Sequence, residues 1–171
     1  MTVERQDERP RVVASCVRTS GANRFLQLQD TLATLERSAT PAQQEELSRL
    51  YSRLNAESVG AIQEFPSVRP LLRDLRSLGY PLYAASGILE EEFRRELDRR
   101  GLAELFLEIR GGDKLGFLRE LLHRGFAGVL FVGDTPYDRR TADQAGASFY
   151  MVENDHDLRV LGMQLREAAG G

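Results

Sequence analysis

The chain has 171 residues, 42% of them hydrophobic and 29% charged, with a net charge of −3. That is the profile of one soluble globular domain, with room for a proper core and at most a small insertion. The weak negative charge gives no electrostatic basis for nucleic acid or an anionic membrane, and no apolar run approaches the ~20 residues of a membrane span.

Residues 1–10 are charged, lack the apolar core of a signal peptide and read as a mobile polar leader. Residues 11–17 (RVVASCV) read as a first strand. Cys16 is the single cysteine, which excludes an internal disulfide and fits a reducing cytoplasm, the expected location. Residues 19–23 form a turn and helix-start cluster. From Arg24 the pattern is helical, with Phe25, Leu28, Leu32 and Leu35 at spacings of three and four. Thr40 and Pro41 break it and start a second helix, whose apolar face is Leu47, Leu50, Tyr51, Leu54 and Val59. The expectation is a small all-helical cap, residues 19–63, inserted after the first strand.

Phe65-Pro66 opens a helix that stops at Gly79, and residues 81–85 read as the second strand, ending at Ser86-Gly87. Residues 90–100 are a charged helix, 102–106 a turn-like segment, 107–109 a brief strand and 111–114 a loop. Residues 115–124 form a helix with Leu115, Leu118, Leu121 and Leu122 on its apolar side. Val129-Leu130-Phe131-Val132 is an apolar run suited to a strand buried on both faces in the middle of a parallel sheet. It stops at Gly133, and Asp134 and Asp138 follow at once, before a short helix over 139–146. Residues 148–152 are the last strand, and 155–168 a closing helix capped by Asp155.

This alternation predicts an α/β fold: a Rossmann-like parallel sheet with helices on both faces, built from residues 1–18 and 64–171. All strand carboxyl ends then share one edge, where ligands of open α/β sheets bind. Three polar loops meet there: Ser86-Gly87, Asp113-Lys114 and 134–138. The hydroxyl of Ser86 and the backbone around Gly87 can donate to phosphate oxygens near a helix start. Lys114 can neutralise phosphate charge. It is the sole lysine among 23 basic residues, so an ammonium stands where the chain otherwise uses arginine. Asp134 and Asp138 repel each other unless a proton or cation holds them, and Mg²⁺ is the natural guest. The competing reading of these residues is structural, with Asp138 and Ser86 as helix caps and Asp134 as a solvated loop residue.

Residues 80–87 with Glu90-Glu91-Glu92, Lys114, and residues 129–138 as strand-Gly-Asp-x-x-x-Asp resemble, in order, the second, third and fourth motifs of the haloacid dehalogenase superfamily of phosphatases. The branch implied is the phosphoglycolate phosphatase-like one, with a small helical cap. The resemblance implies a phosphate site at Ser86, Gly87 and Lys114, and a Mg²⁺ site at Asp134 and Asp138. The first motif departs. The family carries Asp-x-Asp-Gly-Thr (or Val) after the first strand, the first Asp attacking phosphorus and the second serving as general acid and base. Here Ser15 takes the place of the nucleophile, Val17 that of the acid, Arg18 that of the glycine, and Thr19 remains a hydroxyl. No carboxylate lies between Arg11 and Asn23, and His123 and His156 fall on helices away from the loop edge. A serine without a base is a poor nucleophile, and valine transfers no proton.

The expectation is therefore a catalytically impaired relative that binds phosphate, a phosphorylated small molecule or a protein partner. Its Mg²⁺ site is weakened, or replaced by Arg18 pairing with Asp134 or Asp138. The alternative is an active Mg²⁺-dependent phosphomonoester hydrolase with an atypical nucleophile.

Overall fold

The structure is a computed structural model that describes residues 7–170, leaving aside the side chains of 55–61. Most of the expected leader (residues 1–6), and the place of Val59 on an apolar face, lie outside the described residues. The chain separates into two units, Met1–Ile62 and Gln63–Gly171.

The first unit is helical: α1 (Arg9–Arg18), α2 (Arg24–Thr34) and α3 (Pro41–Ala61). The strand expected over 11–17 is thus a helix. Pro10 sits in the first turn of α1, where its fixed φ favours a helix start and its missing N–H goes unused. The run Val12-Val13 favours a strand, but local packing overrides that weak preference. Ser15 is fully buried against α2. It hydrogen-bonds to Asp30 Oδ2 at 2.6 Å and lies 2.9 Å from the Thr31 hydroxyl. Val13 and Val17, which a buried strand would hide, are exposed. The described residues 7–18 accordingly fall with the helical unit and not with the α/β core. Asn23 caps α2 by accepting from the Leu26 amide.

The second unit carries α4 (Val68–Ser77), β1 (Tyr83–Ser86), α5 (Glu90–Arg99), a 3₁₀ turn (Ala103–Leu105), β2 (Glu108–Gly111), α6 (Lys114–His123), β3 (Leu130–Gly133), α7 (Pro136–Ala145), β4 (Ser148–Met151) and α8 (Asp155–Gly170). It is an α/β unit with parallel pairing throughout. β1 pairs with β2, Tyr83 opposite Glu108, and β3 pairs with β4, Leu130 opposite Ser148. Among the described residues these are two separate two-stranded sheets and not one continuous sheet.

Two apolar clusters hold the unit. Leu71 and Leu75 of α4 pack with Val152 and with Leu158 and Leu161 of α8. Ala84 and Ile109 of the first strand pair pack with Leu97, Leu102 and Leu105. Asp155 does not cap α8 as expected. Its carboxylate accepts from the Ser67 amide at 2.8 Å and the Ser67 hydroxyl at 3.0 Å, tying the start of α8 to the start of α4. The capping role falls to Asn154, whose side chain accepts from the His156 amide at 2.9 Å. Among the described residues no helix is long and apolar enough to cross a membrane.

Candidate functional site

The carboxyl ends of the strands in the second unit are tied together by two bonds. The Gly112 amide, just past β2, donates to the Ser86 carbonyl at the end of β1, at 2.8 Å. Two residues later Lys114 opens α6 and reaches across to α7, its Nζ 2.5 Å from Asp138 Oδ1. Three of the loops picked out by sequence are therefore linked in the order Ser86, Gly112 to Lys114, Asp138.

Local sequence explains each placement. Asp113 caps α6 by accepting from the Gly116 amide at 2.9 Å, which fixes where Lys114 leaves the helix. Pro136 occupies the first position of α7 and Thr135 its N-cap. Thr135 and Asp138 form a reciprocal capping box: the Asp138 amide donates to the Thr135 hydroxyl at 3.1 Å, and Asp138 Oδ2 accepts from the Thr135 amide at 3.3 Å. The Thr135 hydroxyl also lies 2.7 Å from Oδ2. Thr135 joins the candidates only in the structure, although the Thr-x-x-Asp spacing carries the signal in the sequence.

Burial makes the Lys114–Asp138 pair a strong constraint. Lys114 is 8% exposed and Asp138 4%. An ion pair withdrawn this far from water needs good geometry and partners for its remaining atoms. Asp138 has them: Lys114 on one oxygen and Thr135 on the other. Lys114 has three N–H donors, and Asp138 takes one direction; its Nζ also lies 5.4 Å from the centre of the Tyr137 ring. A single carboxylate thus holds the ammonium at the start of α6.

The remaining candidates are less constrained. Ser86 is half-buried and its hydroxyl accepts from the Ile88 amide at 3.3 Å, closing a turn over Gly87. Asp134 is exposed at the end of β3. The residues expected to replace the first motif are elsewhere. Ser15 is bound to Asp30 and Thr31, and Val17 is exposed on α1. The Thr19 hydroxyl donates to the Ser15 carbonyl at 2.7 Å. Arg18 pairs with Asp30 at 2.5 Å and donates to the Thr34 hydroxyl at 2.9 Å. These four residues are helix α1 and its C-cap, not a loop after a strand, so the expected one-for-one replacement of the first motif does not hold. Arg18 is committed to α2, which removes the reason to place it on Asp134 or Asp138.

A hard divalent cation such as Mg²⁺ asks for about six oxygen ligands in octahedral array. Both oxygens of Asp138 are engaged by Lys114 and Thr135, which leaves Asp134 as the uncommitted carboxylate of the expected pair. Among the described residues no group of three or more His, Cys, Asp or Glu side chains is placed to share a metal ion. The residues described do not make up a Mg²⁺ site by themselves.

Comparison with known proteins bears on the same span. Residues 24–152 match the family model described as haloacid dehalogenase-like hydrolase. A phosphoglycolate phosphatase of Synechococcus elongatus is 33% identical over 114 residues, 63% of this chain and 54% of the relative. The chain therefore spans about half the length of that curated relative. A crystal structure of a predicted phosphoglycolate phosphatase from Haemophilus somnus 129PT superposes with a TM-score of 0.65 at 19% identity, covering 84% of this chain and 76% of the other. A haloacid dehalogenase-like family hydrolase of Streptococcus pneumoniae gives 0.54 at 16% identity, covering 95% and 91%. At these identities the solved structures speak to the fold.

Proposed function

We propose, for a chain that belongs to the haloacid dehalogenase-like hydrolase family, a phosphate-binding protein impaired in phosphoryl transfer. The observation that carries this reading is the buried Lys114 ammonium. Asp138 holds it in place at the loop edge with donors to spare. The turn at Ser86-Gly87 is tied to the same loop through Gly112. A dianionic phosphate gains most from a fixed cation and N–H or O–H donors in a partly dry setting. The impairment rests on the first motif. Among the described residues no Asp-x-Asp-Gly-Thr or -Val sequence follows a strand to attack phosphorus and protonate the leaving oxygen, and Asp134 and Asp138 stand at the fourth motif instead. The ligand class is a phosphorylated small molecule or phosphate itself.

The test is thermal unfolding of the full chain with and without millimolar inorganic phosphate, beside turnover of an aryl phosphate with and without Mg²⁺. The expected result is a phosphate-dependent rise in Tm, absent in Lys114→Ala, with no turnover above background. A phosphate effect that survives Lys114→Ala would overturn the site.

A second reading is an active Mg²⁺-dependent phosphomonoester hydrolase, favoured by the 33% identity to a protein named as a phosphoglycolate phosphatase. Here Asp134 would activate a water. Metal-dependent turnover abolished in Asp134→Asn would establish it and displace the first.

A further inference from the structure

The end of β2 and the start of α5 touch backbone to backbone. A Cβ on Gly111 would lie 2.3 Å from the Glu90 nitrogen, 2.4 Å from its Cα and 2.6 Å from the Ile88 carbonyl oxygen. The atoms in the way are main chain and cannot swing aside as the end of a long side chain can. Gly111 lies outside the left-handed region, so space and not backbone angle calls for glycine here.

Two further contacts hold the same joint. In a parallel ladder successive residues point their backbone groups to opposite sides. The Gly112 amide turns toward β1 and donates to the Ser86 carbonyl at 2.8 Å, so the Gly111 amide turns outward. There it donates to Glu90 Oε2 at 3.4 Å, and the Arg110 guanidinium lies 3.8 Å from the same oxygen. The Glu90 carboxylate thus folds back from the first turn of α5 onto the outer side of β2. Arg110 also pairs with Glu108, lies 3.7 Å from a Glu120 carboxylate oxygen and stands 5.1 Å from the centre of the Phe117 ring. Glu120 and Phe117 belong to α6, so α5 and α6 are fastened to one strand end.

That joint stands between the two halves of the phosphate site. The Ser86 turn runs directly into it, since Ile88 closes the turn on the Ser86 hydroxyl and its carbonyl lies over Gly111. On the other side Lys114 follows three residues after Gly111. The Glu90–Arg110 pair is long and exposed, so it adds little to global stability. What the contacts at Gly111 fix is where the turn sits relative to the ammonium.

We infer that Gly111 is a positioning residue for phosphate binding. By admitting the start of α5 against its bare Cα it holds the Ser86 turn in register with Lys114, and Glu90 is the clasp. The inference rests on the phosphate reading above. An anion gripped by a fixed cation and a fixed turn is sensitive to displacements of about an ångström. A carboxylate near an anion site also weakens binding through its charge. As a clasp Glu90 strengthens phosphate binding, and as a bare charge it weakens it, so its removal separates the two roles by sign.

The test uses the full chain and inorganic phosphate. The Tm measured against phosphate concentration gives an apparent Kd, and amide hydrogen exchange reads the Gly112 bond to Ser86. Gly111→Ala is expected to raise the apparent Kd about tenfold or more and to speed exchange at Gly112 by a similar factor. Glu90→Ala is expected to raise the apparent Kd about threefold or more, with a Tm in the absence of phosphate close to the parent's. Glu90→Gln keeps an acceptor for the Gly111 amide and is expected to bind phosphate at least as tightly as the parent. Charge alone would make both Glu90 variants bind more tightly. Should Gly111→Ala fail to fold, the two Glu90 variants decide. Gly111→Ala responding to phosphate as the parent does, or Glu90→Ala binding as tightly as Glu90→Gln, would overturn the proposal and leave the phosphate reading standing. A parent chain with no phosphate-dependent rise in Tm would remove both together.

Discussion

Gly133 and Asp138 are packed so closely that a Cβ on the glycine would lie 2.6 Å from the Cβ of the aspartate and 2.8 Å from its Cγ. The strand end and the first turn of α7 therefore meet with no side chain between them, and this contact lets the carboxylate turn toward Lys114. Gly133→Ala forces Asp138 to move, because the atoms in the way belong to the near end of a buried side chain. The expected cost is about 1–3 kcal/mol, the usual range for overpacking. Urea unfolding measures it. The phosphate-dependent stabilisation should fall with it, since the ammonium loses its positioning partner.

The Lys114–Asp138 pair gives a sharper energetic test. Lys114→Met leaves Asp138 buried and charged, with only Thr135 to satisfy it. Breaking a buried pair on one side typically costs about 3–5 kcal/mol. Adding Asp138→Asn removes the orphan charge and keeps an acceptor for Thr135. The double variant should therefore be more stable than Lys114→Met alone, by a margin that a double-mutant cycle resolves. Additive losses would show that the two side chains are not coupled.

These two residues also show what the sequence makes legible. The four-residue apolar run before Gly133 marks a strand by composition alone, and the Thr-Pro-Tyr-Asp sequence after it carries a helix start in its cap and proline. Residue spacing places Asp138 in the loop-to-helix turn. It does not say whether the carboxylate meets a cation from solvent or the ammonium of Lys114, because that depends on how far α6 stands from α7. The misreading of residues 11–17 has a different origin. Val12 and Val13 favour extended backbone only where a sheet is there to receive them. Here Pro10 starts a helix, and Ser15 and Arg18 find Asp30 at helical spacing. A strand at 11–17 would also close the sheet, whereas the second unit holds two separate strand pairs among its described residues.

Ser15 tests that correction directly. If residues 11–17 formed the strand before a catalytic loop, Ser15→Asp with Val17→Asp and Arg18→Gly would rebuild a working first motif. In the structure Ser15 is fully buried against Asp30, so Ser15→Asp sets two carboxylates side by side, and Arg18→Gly removes the cation that pairs with one of them. The triple variant is expected to gain no aryl phosphatase activity and to melt about 5 °C or more below the parent chain. Activity with an unchanged Tm would reinstate the strand.

Asp155 contributes to the acid limb of stability, beside Asp30, Glu96 and Glu108, whose carboxyls are also held low. Hydrogen bonds from the Ser67 amide, and then from the Ser67 hydroxyl, hold its carboxyl below the ordinary carboxylate value. The folded state thus prefers the ionised form more than the unfolded chain does. The stabilisation is complete above the unfolded value of about 4 and fades as pH falls through the lower folded value. Asp155→Asn keeps an acceptor and loses the charge, so its stability should change less than the parent's across the acid range. The check is the urea midpoint measured at intervals from pH 6 to about pH 3. The parent curve should fall toward the variant's as the carboxyl protonates. Parallel curves would mean that the Ser67 contact does not distinguish the charged from the neutral acid.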